Sequence, residues 1–155
     1  MRCACRIPAA AMLLLGLCAP PSALADAARL NLDEFKGHVV YVDFWASWCG
    51  PCRESFPWMQ DIQETYGGKG LKVLAINLDR DRGDAERFLR RFHTTFEIRF
   101  DPDGTLARRL HVEGMPTSVL IDKDGTIRFT HVGFRLSDSA LYDYEIKRIL
   151  GEERR

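Results

Sequence analysis

Two cysteines with two residues between them, in Trp48-Cys49-Gly50-Pro51-Cys52, are the residues of this chain best placed to do chemistry. A thiolate attacks a disulfide sulfur, and a second thiol nearby can attack the mixed disulfide that results. Pro51 suits the first turn of a helix, because the N–H it lacks would have had no partner there. Cys49 then stands at a helix N-terminus, where free N–H groups and the helix dipole favour a thiolate. Cys52 comes within disulfide reach of Cys49 once that turn forms. The spacing therefore predicts an exposed nucleophile at Cys49, a buried resolving thiol at Cys52 and a reversible Cys49–Cys52 disulfide. A crosslink closing so small a loop constrains little of the unfolded chain, so a purely stabilising role explains it poorly.

The residues before this motif must hold it. Val39 to Trp45 is a short apolar run of β-branched and aromatic residues, the pattern of a buried central strand. Asp43 is its one charge. A carboxylate there is expensive unless paired or protonated, and burial should raise its pKa. Every neighbour of Asp43 is apolar, so the pattern leaves open whether it faces the core or points outward. A helix is predicted from Pro51 to about Tyr66, kinked by Pro57 and stopped by Gly67-Gly68-Lys69-Gly70. Leu71 to Leu78 reads as the next strand. Asp84 to Phe92 reads as a helix capped by Asp84, with Arg87, Arg90 and Arg91 on a solvated face. A short strand over Phe96 to Phe100 and a short helix over Thr105 to His111 follow. Thr117 to Asp122 and Thr126 to Gly133 form a hairpin around Lys123-Asp124-Gly125. The last helix, Ser137 to Leu150, offers Leu141, Tyr144, Ile146 and Ile149 to the core, and a turn over Asn31 to Phe35 leads in. Alternating β and α units argue for an α/β domain with a parallel sheet covered on both faces, to which the hairpin adds antiparallel strands.

Val42-Asp43-Phe44-Trp45-Ala46 followed by Trp48-Cys49-Gly50-Pro51-Cys52 resembles the thioredoxin superfamily. The longer run from Trp45 to Pro57, W-A-S-W-C-G-P-C-R-E-S-F-P, is similar to its TlpA-type extracytoplasmic branch, and the likeness covers about Leu30 to Leu150. It implies a thioredoxin fold: a central mixed sheet with helices on both faces, and a family-type insertion between core strands over Asp79 to Thr105. It implies that Asp43, six residues before Cys49, takes the proton of Cys52 as that thiol attacks. Gly114-Met115-Pro116-Thr117 resembles the family's cis-proline loop, which lays the Met115 backbone beside a substrate chain and keeps metal from the thiols. Trp48, Gly50, Pro51, Met115 and Pro116 would then bind substrate, with Trp48, Pro51 and Met115 as an apolar rim around the Cys49 sulfur. Trp45 belongs to the core, and Trp58 is undecided. TlpA-type proteins usually carry Asn where this chain has Asp43, and Glu where it has Ser55. The proton-handling group is thus thioredoxin-like on a TlpA-like body, which weakens a specialised role in cytochrome c maturation.

The implied activity is protein-disulfide reduction, without cofactor, by a monomer that takes electrons from a membrane thiol relay and passes them to disulfide-bearing client proteins. A thioredoxin-like module that holds copper or a client for metalloprotein or cytochrome assembly is the alternative. Copper favours soft Cys and Met ligands, and Met115 is the obvious third one. A dedicated oxidant of this superfamily would need a large helical insertion for which the chain is too short. The 155 residues allow one domain, and Lys plus Arg equals Asp plus Glu at 22 each. Such a balance leaves no electrostatic footprint for nucleic acid or an anionic membrane. The four histidines are scattered singly and no second C-x-x-C exists, so no metal site is expected. Asp101-Pro102-Asp103-Gly104 and Asp122-Lys123-Asp124-Gly125 lack the later acidic ligands of a calcium loop and read as turns.

The first 25 residues read as a secretory signal peptide. Arg2 and Arg6 precede a short apolar stretch, Ala9 to Cys18, and Ala23-Leu24-Ala25 forms a small-x-small cleavage site. The stretch falls short of the ~20 apolar residues a membrane span needs. A thioredoxin-like domain over 26–155 would then be exported to the periplasm with Cys49 and Cys52 as its cysteines. Lipid attachment at Cys18 is disfavoured by Leu17, where a small residue is expected. N-terminal sequencing of the exported protein should therefore begin at Asp26; a lipid-bearing start at Cys18 would replace export with a membrane anchor.

Overall fold

The computed structural model describes residues 32–151. Residues 1–31, where the signal peptide with Cys3, Cys5 and Cys18 is expected, and the charged tail after Gly151 lie outside the described residues. In chain order the elements are β1 (Val39–Trp45), α1 (Gly50–Tyr66), β2 (Leu71–Asn77), α2 (Arg82–Leu89), β3 (Glu97–Phe100), α3 (Thr105–Arg109), β4 (Thr117–Ile121), β5 (Ile127–Val132) and α4 (Ser139–Leu150). Single 3-10 turns precede β1 (Leu32–Phe35), follow α1 (Gly67–Lys69) and precede α4 (Leu136–Asp138).

The five strands form one mixed sheet in the order β3-β2-β1-β4-β5. The β1–β2 and β2–β3 pairs are parallel, while β4 runs antiparallel to β1 and to β5. Strand β1 is central and buried along its whole length, so its alternating side chains feed two separate cores. Val39, Tyr41 and Trp45 pack with Cys52, Phe56, Met59 and Ile62 of α1, Phe88 of α2, and Tyr142 and Ile146 of α4. Val40, Val42 and Phe44 pack with Leu74, Ile76, and Leu106 and Ala107 of α3. Helices therefore cover both faces, and the chain has the predicted α/β architecture. The stretch 79–105 holds α2 and β3, which put an extra parallel strand at the edge of the sheet.

An aromatic cluster locks α1 and α2 onto β1. The Phe56 ring lies 4.8 Å from Trp45, 5.0 Å from Phe88, 5.2 Å from Phe92 and 5.7 Å from Phe96, centroid to centroid. Each such pair adds about 0.5–1.5 kcal/mol beyond the area it buries. Trp58, undecided from sequence, is buried against Tyr41, Phe134 and Tyr142.

Three details correct the sequence reading. The N-cap of α2 is Asp81, not Asp84: its side chain accepts from the Gly83 N–H at 2.8 Å while its backbone stays extended. Asp84 instead sits in the first turn and pairs with Arg87, and the helix ends at Leu89, leaving Phe92 beyond it in a turn. On α4, Leu141 and Tyr144 are exposed, whereas Tyr142, Glu145 and Ile146 are buried. Ile146 and Ile149 face the core as expected, and the places given to Leu141 and Tyr144 go to Tyr142 and to Glu145, which meets His131 inside. The hairpin strands are also shorter than expected: Asp122 turns inward to accept from the Asp124 and Thr126 N–H groups, both at 3.0 Å, and from Arg128 at 2.5 Å. Gly125, at φ 84°, takes the left-handed position of that turn. Pro57 lies inside α1, which runs unbroken across it.

Phe56→Ala should cost about 3–5 kcal/mol of unfolding free energy, the range for an aromatic removed from a packed core. Chemical denaturation of the oxidised protein measures it; a loss below ~1 kcal/mol would mean the cluster is not the joint between α1 and the sheet.

Candidate active site

The chain leaves β1 at Trp45, makes one tight turn and enters α1 at Gly50. The Cys49 N–H donates to the Ala46 carbonyl at 3.1 Å, which closes the turn. Cys49 is the N-cap of α1: its backbone is extended (φ −78°, ψ 113°) and its Sγ accepts from the Cys52 N–H at 3.2 Å. A side chain in that position normally satisfies one of the orphan N–H groups of a first helical turn. Here the acceptor is sulfur, so the same N–H is available to a Cys49 thiolate. Gly50 and Pro51 occupy the first two helical positions, both exposed.

Cys49 and Cys52 are joined by a disulfide, with their Cα atoms 5.3 Å apart. Cys52 is fully buried and Cys49 is 5% exposed. Cys49, expected to be exposed, is thus buried in the oxidised form, in the same apolar cluster that Met115 packs against. Trp48, at 72% exposure, projects from the turn. Ser55, where the TlpA pattern has Glu, is buried and donates to the Cys52 carbonyl at 3.0 Å, while Glu54 is exposed. Neither supplies a carboxyl to the interior beside Cys52.

Met115 and Pro116 reach the site through β4. Thr117 pairs with Phe44, so Pro116 lies across from the end of β1 that delivers the cysteines. The Met115–Pro116 peptide bond is cis. Thr117 Oγ1 donates to the Gly114 carbonyl at 2.7 Å, and the Gly133 N–H donates to the Pro116 carbonyl at 2.7 Å. These two bonds tie the loop to itself and to the end of β5.

Asp43 is 1% exposed. It shares the parity of Tyr41 and Trp45, so it faces the core that α1 covers, where Cys52 is buried. Its Oδ2 is buried without a hydrogen-bond partner. Burial alone pushes its carboxyl well above the ordinary carboxylate range. Tyr41, next to it on the same face, is pushed up by its own burial and then by the Asp43 charge.

Two parts of the site were not legible in the sequence. Asp79, read as part of a charged turn, is 4% exposed and grips the turn before Cys49. Its Oδ2 accepts from the Ser47 N–H at 2.9 Å and from Asn77 Nδ2 at 2.8 Å, and its Oδ1 accepts from the Ser47 hydroxyl at 3.0 Å. The signal available was an acidic residue just past a buried strand, which is too common to single out. Val132, 71% exposed at the end of β5, lies beside Gly114 of the cis-proline loop.

A helix-capping dithiol on a five-stranded sheet covered on both faces, beside a cis-proline loop, defines the chain as a thioredoxin-fold protein with a redox-type cysteine pair. The sequence matches the Redoxin family over residues 7–145, and the protein belongs to that family. A crystal structure from Chlorobium tepidum, described as a thiol:disulfide interchange protein DsbE, superposes with a TM-score of 0.76 at 50% identity, over 77% of this chain and 85% of that one. StoA from Bacillus subtilis superposes with a TM-score of 0.61 at 28% identity, over 71% of this chain and 84% of that one. The thiol-disulfide oxidoreductase ResA of Geobacillus kaustophilus is 32% identical over 116 residues, 74% of this chain and 67% of the relative. The ResA of Bacillus thuringiensis is 31% identical over 102 residues, and the match spans 59% of that relative's length.

A carboxyl whose folded pKa is raised favours the fold fully below its unfolded value of about 3.9 and loses that contribution as pH rises through the folded value. Asp43→Asn removes the titration. The stability difference between variant and wild type should therefore move in the variant's favour as pH rises from about 4 toward alkaline values. Thermal unfolding across that range checks it, and a difference that is flat with pH would place Asp43 in a solvated or charge-paired setting.

Proposed function

We propose that this protein is an exported thiol–disulfide oxidoreductase that reduces disulfides in periplasmic client proteins through the Cys49–Cys52 pair. The observation that carries the reading is the Cys49 sulfur at the N-cap of α1, with buried Cys52 behind it and a buried carboxyl on the same core face. The names of its relatives, thiol-disulfide oxidoreductase and thiol:disulfide interchange protein, support the same chemistry. Export rests on the leader-like residues 1–25.

In the reduced form the Cys49 thiolate, favoured by the Cys52 N–H and the helix terminus, attacks one sulfur of a client disulfide. A bond forms between Cys49 and that sulfur, and the other client sulfur leaves as a thiolate and takes a proton. Cys52 then gives its proton to the Asp43 carboxylate and attacks the Cys49 sulfur. The mixed disulfide breaks, the second client thiolate departs, and the Cys49–Cys52 bond closes. Two electrons have passed from the dithiol to the client. An external dithiol, supplied by a membrane thiol relay, returns the pair to the reduced form. Trp48, Pro51 and Met115, joined by Val132, offer the apolar surface on which an extended client segment would lie, with Gly50 exposed and the Met115 backbone beside it, and with buried Pro116 behind.

The buried carboxyl matters at the second step. A positioned general base is typically worth about 10²–10⁴-fold, and its pKa serves best near the working pH. Burial moves Asp43 in that direction.

Trapping with Cys52→Ala tests the reading. Attack by Cys49 proceeds but resolution stops, so exported proteins should accumulate as reducible adducts of this variant and not of a Cys49→Ala, Cys52→Ala double variant. No adducts, together with stoichiometric copper binding by the reduced wild type, would replace the enzyme with a metal-holding module.

A further inference from the structure

One row of side chains crosses the whole sheet at the level of Asp43. Register places Ile98 of β3, Ala75 of β2, Asp43 of β1, Ser118 of β4 and His131 of β5 next to one another on the same face. Directly opposed residues of an antiparallel pair hold their Cβ atoms about 4.5–5.5 Å apart. Asp43 therefore has hydrocarbon on one side and polar side chains on the other. Toward β2 lie Ala75 and Ile98, and along β1 lies Trp45 with its aromatic cluster. At this level of the sheet the neighbours on β4 and β5, Ser118 and His131, can both carry a proton.

The polar half of the row leads outward. Tyr41, two residues before Asp43 on the same face, is buried with Ser118 against its hydroxyl and within electrostatic reach of Asp43, Tyr142 and Glu145. His131 Nε2 lies 2.7 Å from Glu145 Oε2, and the imidazole sits 4.3 Å from the Tyr142 ring. The His131 side chain is 18% exposed and that of Glu145 8%, so the row ends at solvent between β5 and α4. The groups facing Asp43 and this row are thus Tyr41 on β1, Cys52 on α1, Ser118 on β4, His131 on β5, and Tyr142 and Glu145 on α4. Arg135 and Asp138 act on Tyr142 from the joint before α4. A largely buried Glu–His pair on a sheet face that could hold an apolar pair is expensive, and hydrophobic replacements of such pairs are often as stable. Packing does not account for its presence.

We propose that Tyr41, Ser118, His131 and Glu145 form the path by which the proton of Asp43 passes to and from solvent. The proposal rests on Asp43 being the base for Cys52. When Cys52 attacks, its proton moves to the Asp43 carboxylate. Asp43 passes a proton to the hydroxyl of Ser118 or Tyr41, that hydroxyl releases its own to the His131–Glu145 pair, and water takes it from there. When an external dithiol re-reduces the Cys49–Cys52 bond, a proton travels inward and ends on the departing Cys52 sulfur. One proton leaves and one returns in each full cycle, and no group on the path changes oxidation state.

A two-phase reaction of the reduced protein with 5,5′-dithiobis(2-nitrobenzoate) separates the steps, since Cys49 releases one coloured thiolate and Cys52 a second. Glu145→Gln, His131→Ala and Ser118→Ala should leave the first phase unchanged and slow the second by on the order of tenfold, less than the loss of the base that itself takes the proton. The slowed phase should show a larger solvent deuterium effect than wild type, and added imidazole should restore it in His131→Ala. A second phase at the wild-type rate in all three variants would mean the proton leaves past the cysteines, and overturns the path. Slowing without an isotope effect or imidazole rescue would make the cluster structural, and overturns it equally. Ser118→Ala keeps the test open if Glu145→Gln fails to fold. Asp43→Asn is read alongside: if it leaves the second phase untouched, the base assignment itself is wrong, whatever the other variants do.

Discussion

Strand β1 is buried on both faces, and it carries a carboxyl. Everything near the thiols follows from that constraint. A strand in this position can present alternate side chains to two cores only if its own backbone is fully paired, which β2 and β4 accomplish from either side. The strand's end is then fixed in space. The turn from Ala46 to Cys49 and the first residues of α1 inherit that rigidity, and Asp79, just past β2, ties the turn down again. A dithiol placed on such a support keeps its geometry through a cycle of bond making and breaking.

Burial sets the chemistry as well as the geometry. The Cys49 sulfur lies where a helix offers an N–H, which favours negative charge. Asp43 lies where no hydrogen bond reaches one of its oxygens, which disfavours negative charge. Two acidic groups a few residues apart in sequence are thus pushed in opposite directions by their surroundings. In the proposed reaction that separation would let Cys49 act as nucleophile and Asp43 hold a proton. Native proteins tolerate unsatisfied buried polar atoms rarely, and such atoms gather where function needs them.

The polar side of the Asp43 row also explains an irregularity of α4. A helix laid on an apolar sheet should bury an apolar stripe, and on this helix Glu145 lies inside the stripe. His131 on β5 accommodates it, so the stripe runs through Tyr142, Glu145 and Ile146 while Leu141 and Tyr144 face solvent. Sheet and helix are matched here through an ion-pair geometry as well as through hydrocarbon.

Sequence alone determined the elements and the thiols. Val39 to Trp45 is uniformly apolar apart from Asp43, Pro51 and the glycines bound the first helix, and a C-x-x-C at a strand-to-helix turn has few other uses. Those signals are local, each carried within about ten residues. Only the tertiary structure decided which way Asp43 faces, because a strand apolar on both sides has no polar alternation to mark its register. The fold alone revealed that Asp79 grips Ser47 from 32 residues away, that Asp81 and not Asp84 caps α2, and that Glu145 is buried. Each depends on a partner supplied by another element, and a single sequence does not show which distant polar residues will meet. His131 looked like one of four scattered histidines until the register of β4 and β5 set it beside Ser118 and, two strands over, Asp43.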